Sequence, residues 1–159
     1  MKFCEYDDAE ELAEMAKEIW TDYYSTFPDR DLPEYVLKKF QSELAIKEQM
    51  CEGYLYCFIK KDDVNVGYIC VLRDSDTVLL SRIYILKDFR GQGLASEAID
   101  ILAEWCRNMK MRKLYLRVYK ENTISISIYT HKGFTIVEER KEDIGDGFFL
   151  DDYIMEYRF

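Results

Sequence analysis

The chain has 159 residues, of which 48% are hydrophobic and 33% charged, which is typical of one soluble globular domain spanning residues 1–159. No apolar run reaches the roughly eighteen residues of a membrane-spanning helix, and the acidic start predicts no secretory signal, so we expect no membrane partner. The net charge of -9, without a basic cluster, predicts no nucleic-acid partner and would attract a cationic small molecule.

The cysteines indicate a reducing compartment. Cys4, Cys51, Cys57, Cys70 and Cys106 form no C-x-x-C pair and show no metal-ligand spacing. An odd and scattered set predicts reduced, mostly buried thiols in a cytoplasmic protein. Since the sequence also contains a single histidine, we predict no metal site.

Two helices are predicted at the start of the chain. Over residues 8–26, Leu12, Met15, Ile19 and Tyr23 recur at helical spacing, and a separate acidic stripe is interpreted as a solvated face. The prolines of "FPDRDLP" end this helix, because proline does not fit a helix interior. A second helix is predicted over residues 33–50, with the apolar candidates Tyr35, Val36, Leu37, Phe40, Leu44 and Met50.

Strands dominate the remainder of the sequence. They are predicted at 54–60, 64–73, 77–86, 113–120, 134–140 and 148–159. A helix over 93–109 follows the third of these strands, and a short helix ending at Gly133 follows the fourth. The stripe of the longer helix is Leu94, Ala98, Leu102, Trp105 and Met109. The order ααβββαβαββ predicts a mixed α/β fold with one central sheet.

The stretch "YILKDFRGQGLASEA" (84–98) places two glycines and a cation between a strand and a helix. The first amides of a helix lack partners and attract anions, and glycine keeps side chains out of the approach. With the charge of Arg90 nearby, the pattern indicates a pyrophosphate cradle, while a tight turn without a ligand remains an alternative. A nucleotide P-loop is absent, and the dinucleotide fingerprint fits only in part because Ser96 stands at its third glycine.

"RGQGLA" (90–95) resembles the acetyl-CoA motif [QR]-x-x-G-x-[GA] of the GNAT superfamily of N-acetyltransferases. A second feature of that superfamily, an Asn followed by Tyr and then Gly-Phe, matches Asn122, Tyr129, Gly133 and Phe134. Ser125 replaces a customary alanine between them. "RIYILKDFRGQGLA" and "GDGFFLDDYIMEYRF" together resemble the branch that acetylates polyamines such as spermidine.

The resemblance implies a mostly antiparallel twisted sheet, flanked by helices and splayed between its fourth and fifth strands. It also implies acetyl-CoA as cosubstrate, with the pyrophosphate held by Arg90 and the amides of residues 92–96, and the acyl arm lined by backbone groups of the preceding strand. Asn122 is expected to bond the pantetheine arm, with capping of the following helix as the rival role. The cofactor-binding residues expected in this way are Ile83, Tyr84, Ile85, Arg90, Gly91, Gln92, Gly93, Leu94, Ala95, Ser96, Asn122 and Tyr129.

For the chemistry, Tyr129 is the expected general acid, because a tyrosine of ordinary pKa can protonate a departing thiolate. The general base stays open among Ser81, Glu138, Asp151 and Asp152, and His131 is the weaker candidate.

The expected acceptor is a small amine, with polyamines first. A protein amine or an aminoglycoside, a non-catalytic acyl-CoA-binding module and a structural domain with an empty turn are the alternatives. The resemblance also allows a homodimer through the aromatic C-terminal segment.

Overall fold

The structure, a computed structural model, describes residues 1–23 and 31–159. The end of the predicted first helix (24–26) and most of "FPDRDLP" lie outside the described residues. The helices are α1 (Ala9–Tyr23), α2 (Asp31–Phe40), α3 (Glu43–Cys51), α4 (Leu94–Asn108) and α5 (Thr123–His131). The strands are β1 (Lys2–Phe3), β2 (Tyr54–Lys61), β3 (Val64–Asp74), β4 (Thr77–Ile85), β5 (Lys113–Tyr119), β6 (Thr135–Gly145) and β7 (Phe148–Arg158).

The strands form a seven-stranded sheet in the order β1-β2-β3-β4-β5-β7-β6. Neighbours β1–β2, β2–β3, β5–β7 and β6–β7 are antiparallel. In contrast, β4 and β5 are parallel and pair only from Thr77 opposite Lys113 to Leu80 opposite Leu116, although both strands continue further. This arrangement confirms the predicted mixed α/β fold.

The described residues group into two compact units, one formed by residues 1–72 and 82–98 and the other by residues 73–81 and 99–159. The expectation of a single domain over residues 1–159 stays a prediction. None of the helices in the described part of the chain combines the length and apolar character that a membrane crossing requires.

The predicted helix over residues 33–50 is wrong, because the chain forms two helices there. Helix α2 ends at Phe40, and Ser42 caps α3 by accepting a hydrogen bond on Oγ from the Ala45 amide at 3.3 Å. A serine in this position satisfies an amide that a new helix leaves without a partner. The restart also rotates the apolar face, so Leu44, expected in the core, is 68% exposed.

Two further expectations need correction. Strand β6 runs to Gly145 rather than ending at residue 140, and nearly all of its side chains are exposed. The sequence signal was weak there because an edge strand can carry charged residues on both faces. Met109 lies beyond the end of α4 and is 41% exposed, so it does not extend the apolar stripe of that helix.

The larger core of the first unit lies between α1 and the strands. The buried residues of α1 pack with α3, β2 and β3; the cluster comprises Ala9, Leu12, Met15, Ala16, Ile19, Ile46, Tyr56, Phe58, Tyr68 and Cys70. A separate cluster joins β2, β3 and β4 to α4 and contains Ile59, Val66, Ile85 and Ala98. Side chains alternate between the faces of a strand, so successive residues of β4 reach different clusters.

A cation ties the helices of this unit to the strands. The Arg82 guanidinium on β4 donates from Nη1 to Gln49 Oε1 at 2.8 Å and to the Tyr56 hydroxyl at 3.0 Å. Its Nη2 donates to the carbonyl of Phe40 at 3.3 Å. Arg82 therefore satisfies the end of α2 and connects α3 and β2 to β4 through neutral acceptors.

Gly67 on β3 allows the end of β4 to approach closely. A Cβ atom at residue 67 would lie 2.3 Å from the Tyr84 carbonyl oxygen and 2.8 Å from Ile85 Cδ1. The Leu86 amide donates to the Val66 carbonyl at 2.9 Å beside this contact. A larger residue at position 67 would push β4 away from β3.

We expect Gly67→Ala to lower the free energy of unfolding by about 2–3 kcal/mol, because the added methyl group meets backbone atoms that cannot move independently. Denaturant unfolding measures this loss, and amide exchange at Leu86 should become faster. Gly53→Ala is the control: it has a φ of +95° but nothing within 4 Å of an added Cβ, so its cost is conformational strain alone. Unchanged protection of Leu86 in Gly67→Ala would contradict the steric explanation.

Candidate active site

The connection from β4 to α4 is shaped by two glycines. A short 3-10 turn (Lys87–Phe89) follows β4, and Gly91 and Gly93 then adopt φ angles of +72° and +82°. A residue with a Cβ atom is strained in this left-handed conformation, whereas glycine adopts it readily. A Cβ atom at either glycine would meet nothing within 4 Å, so the space beside the loop is open.

The first turn of α4 presents backbone amides to this open space. The first helical bond runs from the Glu97 amide to the Gly93 carbonyl at 2.9 Å. The amides of Leu94, Ala95 and Ser96 therefore have no acceptor inside the helix. Together with the helix dipole, these amides give the loop a partial positive charge that suits an anion.

Cations surround the same loop. Arg90 donates from Nε to the Ile85 carbonyl at 2.9 Å and from Nη1 to Asp22 Oδ2 at 2.7 Å. Lys87 Nζ donates to the other oxygen of Asp22 at 2.6 Å. The hydrogen bond from Lys87, and to a smaller extent that from Arg90, lowers the pKa of the Asp22 carboxyl group. The end of α1 thus supplies the counter-ion for both cations of the loop.

The side chain of Gln92 is held within the loop. Its Oε1 accepts a hydrogen bond from Lys61 Nζ at the end of β2, and its Nε2 donates to the Asp88 carbonyl at 3.3 Å. Lys61 therefore adds a third cation beside Lys87 and Arg90. The expected contribution of Gln92 to a ligand then comes from its backbone amide.

An apolar cluster packs against one side of the loop. Ile85 is buried against Ile59, Val66 and Ala98, and partly buried residues pack on this cluster; they are Ile83, Phe89, Leu94 and Ala95. Tyr84 points to the opposite face, where its ring lies 6.1 Å from Trp20 and 5.5 Å from Tyr68 between centroids. Of the three expected strand residues, Ile83 and Ile85 share the α4 face, and Tyr84 can serve the loop only through its backbone.

This part of the chain fits the diphosphate of acetyl-CoA. An anion of that size needs several amide donors, space close to the backbone and neighbouring positive charge. The loop supplies the amides of the first turn of α4, the open side of Gly91 and Gly93, and the cations Lys61, Lys87 and Arg90. The expected residues of positions 83–96 are thus brought together in the first unit.

Asn122 and Tyr129 belong to the second unit, where both lie on α5 or at its start. Asn122 Oδ1 accepts a hydrogen bond from the Ser125 amide at 3.1 Å, so the side chain performs the helix-capping role. Tyr129 is 8% exposed, and its ring centroid lies 5.9 Å from that of Phe134. Gly133 ends the helix with a φ of +92°, as a C-terminal glycine commonly does.

The candidate bases differ in their surroundings. Glu138 is exposed and pairs with both Nε and Nη2 of Arg140 at 2.9 and 3.1 Å, and Asp151 pairs with Lys120 at 2.8 Å. Asp152 is 7% exposed and lies 3.2 Å from Nη2 of Arg117. Burial raises the pKa of the Asp152 carboxyl group despite this partner.

Of the remaining candidates, Ser81 is half-buried on β4 and His131 is exposed in the last turn of α5.

Sequence reasoning missed several residues that shape the loop. Two of them, Asp22 and Lys61, lie far from the loop in sequence, and Lys87 belongs to no motif. Only the fold brings these side chains to Arg90 and Gln92. Gly67 did carry a signal, since an isolated glycine inside a strand marks a close backbone approach.

Comparisons with known proteins agree with this geometry. The chain is 35% identical over 89 residues to the uncharacterized N-acetyltransferase YobR of Bacillus subtilis, a match that covers 56% of this chain and 35% of YobR. It thus spans about a third of the length of that relative. Over 97 residues it is 29% identical to an aminoglycoside N(6')-acetyltransferase type 1 of Salmonella typhimurium, covering 61% of this chain and 63% of that protein.

Among solved structures, the PaiA N-acetyltransferase of Thermoplasma acidophilum, crystallised with coenzyme A, superposes with a TM-score of 0.80. The superposition covers 100% of both chains at 18% identity and therefore shows a common fold. The sequence profile of the acetyltransferase (GNAT) family matches residues 12–134, which include most of α1, all of β4, the glycine loop and Tyr129. The chain therefore belongs to the GNAT family of acetyltransferases.

Proposed function

We propose that this protein is an acetyl-CoA-dependent N-acetyltransferase that transfers an acetyl group directly to a primary amine of a small cationic molecule. The observation that carries the proposal is the first turn of α4, whose open amides are flanked by Gly91, Gly93 and Arg90. Family membership supports the same cosubstrate.

In this proposal the cosubstrate is held by its diphosphate and its acyl arm. Backbone amides of residues 92–96 and the cations around them bind the diphosphate, and backbone groups of Ile83 and Ile85 align the arm. The Ile85 carbonyl already accepts a hydrogen bond from Arg90, so we assign contact with the arm to the Ile85 amide. Asn122 caps α5 through Oδ1, and its Nδ2 is the proposed donor to the pantetheine chain.

Bound acetyl-CoA supplies the activated acetyl group. The amine nitrogen forms a bond to the thioester carbonyl carbon, the C–S bond breaks, and the departing thiolate takes a proton from the Tyr129 hydroxyl. Ordinary pKa values of about 10 for tyrosine and about 8.5 for a thiol make this proton transfer uphill by roughly 2 kcal/mol. A thiolate without full hydration is more basic, which offsets that difference.

The amine must lose a proton, since an alkylamine has a pKa near 10.4 and is almost wholly charged at neutral pH. Asp152 is the best supported acceptor among the carboxylates, because burial raises its pKa and so makes it a stronger base. In this proposal the proton reaches the carboxylate through ordered water.

The state of four of the five thiols supports direct transfer rather than an acyl-cysteine intermediate. Burial raises the pKa of Cys4 to about 12 and those of Cys57 and Cys106 to about 11. Burial also raises the pKa of Cys70. A thiol that remains protonated at neutral pH is a poor nucleophile.

The proposed acceptor is a cationic amine. The net charge of -9 favours a cationic molecule. A polyamine fits the resemblance of the sequence, and an aminoglycoside is favoured by the relative from Salmonella typhimurium. The cytoplasmic location and the homodimer expected from the sequence remain part of the same proposal.

The function is tested by following release of free CoA from acetyl-CoA with spermidine, spermine, putrescine, an aminoglycoside, short peptides and lysine as acceptors. We expect turnover with a polycationic amine, identified by mass increase of the acceptor. Saturable binding of acetyl-CoA without turnover on any amine would favour the binding module. Absence of acetyl-CoA binding would contradict the proposal altogether.

Replacing Tyr129 by Phe should lower kcat about 100-fold, because the change removes the proton donor and keeps the ring. Tyr157→Phe is the matched control: its ring also packs on Phe134, at 5.8 Å between centroids. Stopped-flow or steady-state CoA release measures both variants, and circular dichroism checks their folding. Equal kcat values in the two variants would remove Tyr129 from the mechanism.

Thiol chemistry provides an independent check on direct transfer. Cys51 is the exposed cysteine, and the other four are buried or partly buried. We expect one fast-reacting thiol per native chain with an aromatic disulfide reagent at pH 8, and none in Cys51→Ser. Full activity of Cys51→Ser is expected as well. A second fast thiol, or loss of acetyl transfer on Cys51→Ser, would argue for a cysteine in the reaction.

A further inference from the structure

The carboxylate of Asp22 occupies the two cations that a diphosphate at the loop would use. It lies on α1, far from the loop in sequence, and each of its oxygens accepts from a different residue: Oδ1 from Lys87 at 2.6 Å and Oδ2 from Arg90 at 2.7 Å. The Asp22 side chain is 23% exposed, and those of Arg90 and Lys87 are 36% and 70% exposed, so water screens the Lys87 pair more strongly than the Arg90 pair. The pairs therefore hold the loop and the end of α1 together when no ligand is bound.

Arg90 is held from β4 as well as by Asp22. Its Nε donates to the Ile85 carbonyl at 2.9 Å, and Ile85 is buried in the cluster beneath the loop. This bond is a second anchor for the guanidinium, independent of Asp22. What Asp22 adds is a negative charge next to a site whose amides and cations suit an anion.

We propose that Asp22 is an internal anion that competes with the diphosphate of acetyl-CoA for Arg90 and Lys87, so that cosubstrate binding releases the end of α1 from the loop. The inference rests on the proposed function, since it assumes that the loop binds this diphosphate. Asp22 acts through Arg90 and Lys87 and is a positioning residue in the free protein. It is not a catalytic residue.

The coupling works in both directions. An internal interaction that is stronger in the free protein than in the complex lowers the affinity for the ligand. Binding of the ligand weakens that interaction by the same factor. Removing the charge of Asp22 should therefore destabilise the free protein and strengthen ligand binding at the same time. If Asp22 had a merely structural role, the same substitution would lower both the stability of the protein and its affinity for the ligand.

The test measures CoA affinity by calorimetry and thermal stability without ligand for the wild type and three variants. Asp22→Asn should bind CoA roughly three- to tenfold more tightly and unfold at a lower temperature than the wild type. Glu18→Gln removes the same charge from an exposed position one turn earlier on α1 and should change neither value. Asp22→Glu keeps the charge and should restore weaker binding.

Pantetheine, which lacks the diphosphate, should bind the wild type and Asp22→Asn equally. Equal or weaker CoA binding by Asp22→Asn, with CoA binding by the wild type intact, would overturn this inference and leave the proposed function standing. A wild type that does not bind CoA would overturn both.

A measurement on the wild type covers the case in which Asp22→Asn does not fold. Carboxyl carbon NMR follows the titration of Asp22 with and without saturating CoA. In the free protein Lys87 and Arg90 hold the pKa of Asp22 below its ordinary value, and we expect CoA to raise it because the cations turn to the diphosphate. An unchanged pKa of Asp22 on CoA binding would overturn the inference.

Discussion

The first turn of α4 must keep its backbone amides unpaired and accessible, and much of the first unit serves this constraint. Gly91 and Gly93 take φ angles that leave no side chain beside these amides. Gly67 lets β3 approach the end of β4, from which the loop departs. Unpaired amides cost free energy when buried, so the site stays open to solvent or an anion. The loop therefore packs on an apolar cluster on one side and is open on the side of its glycines.

The positive charge around the loop is partly neutralised. Lys61, Lys87 and Arg90 lie beside the helix N-terminus, yet Asp22 pairs with the latter two. The net charge of the chain is -9, but a cationic loop without a counter-ion would still bind anions and acidic surfaces nonspecifically. If Asp22 competes as proposed, this counter-ion from α1 would reduce such binding and favour ligands that can replace it.

The sequence predicted those features that depend on local chemistry. The glycine spacing, the cation at position 90 and the period change after residue 93 identified the loop and the start of α4. The spacing of Asn122, Tyr129 and Gly133 likewise identified α5 and its ends. In each case one residue type is required by backbone conformation or by an unpaired amide, and this requirement is visible in a single sequence.

Features that depend on tertiary contacts were missed. The break at Ser42 was hidden inside a continuous helical period. Gln41, at the break, accepts a buried hydrogen bond from the Tyr68 hydroxyl, a long-range contact that no local pattern reveals. Asp22 is one of many acidic residues of the chain, and only the approach of α1 to the loop distinguishes it. The extension of β6 lacked an apolar alternation because most of that strand faces solvent.

The central claim is that the amides at the start of α4 bind the diphosphate of acetyl-CoA. The most direct measurement is a titration of ¹⁵N-labelled protein with CoA, followed by amide chemical shifts. We expect the largest shifts at residues 91–96. Binding of CoA with its largest shifts elsewhere in the chain, or no binding, would contradict it.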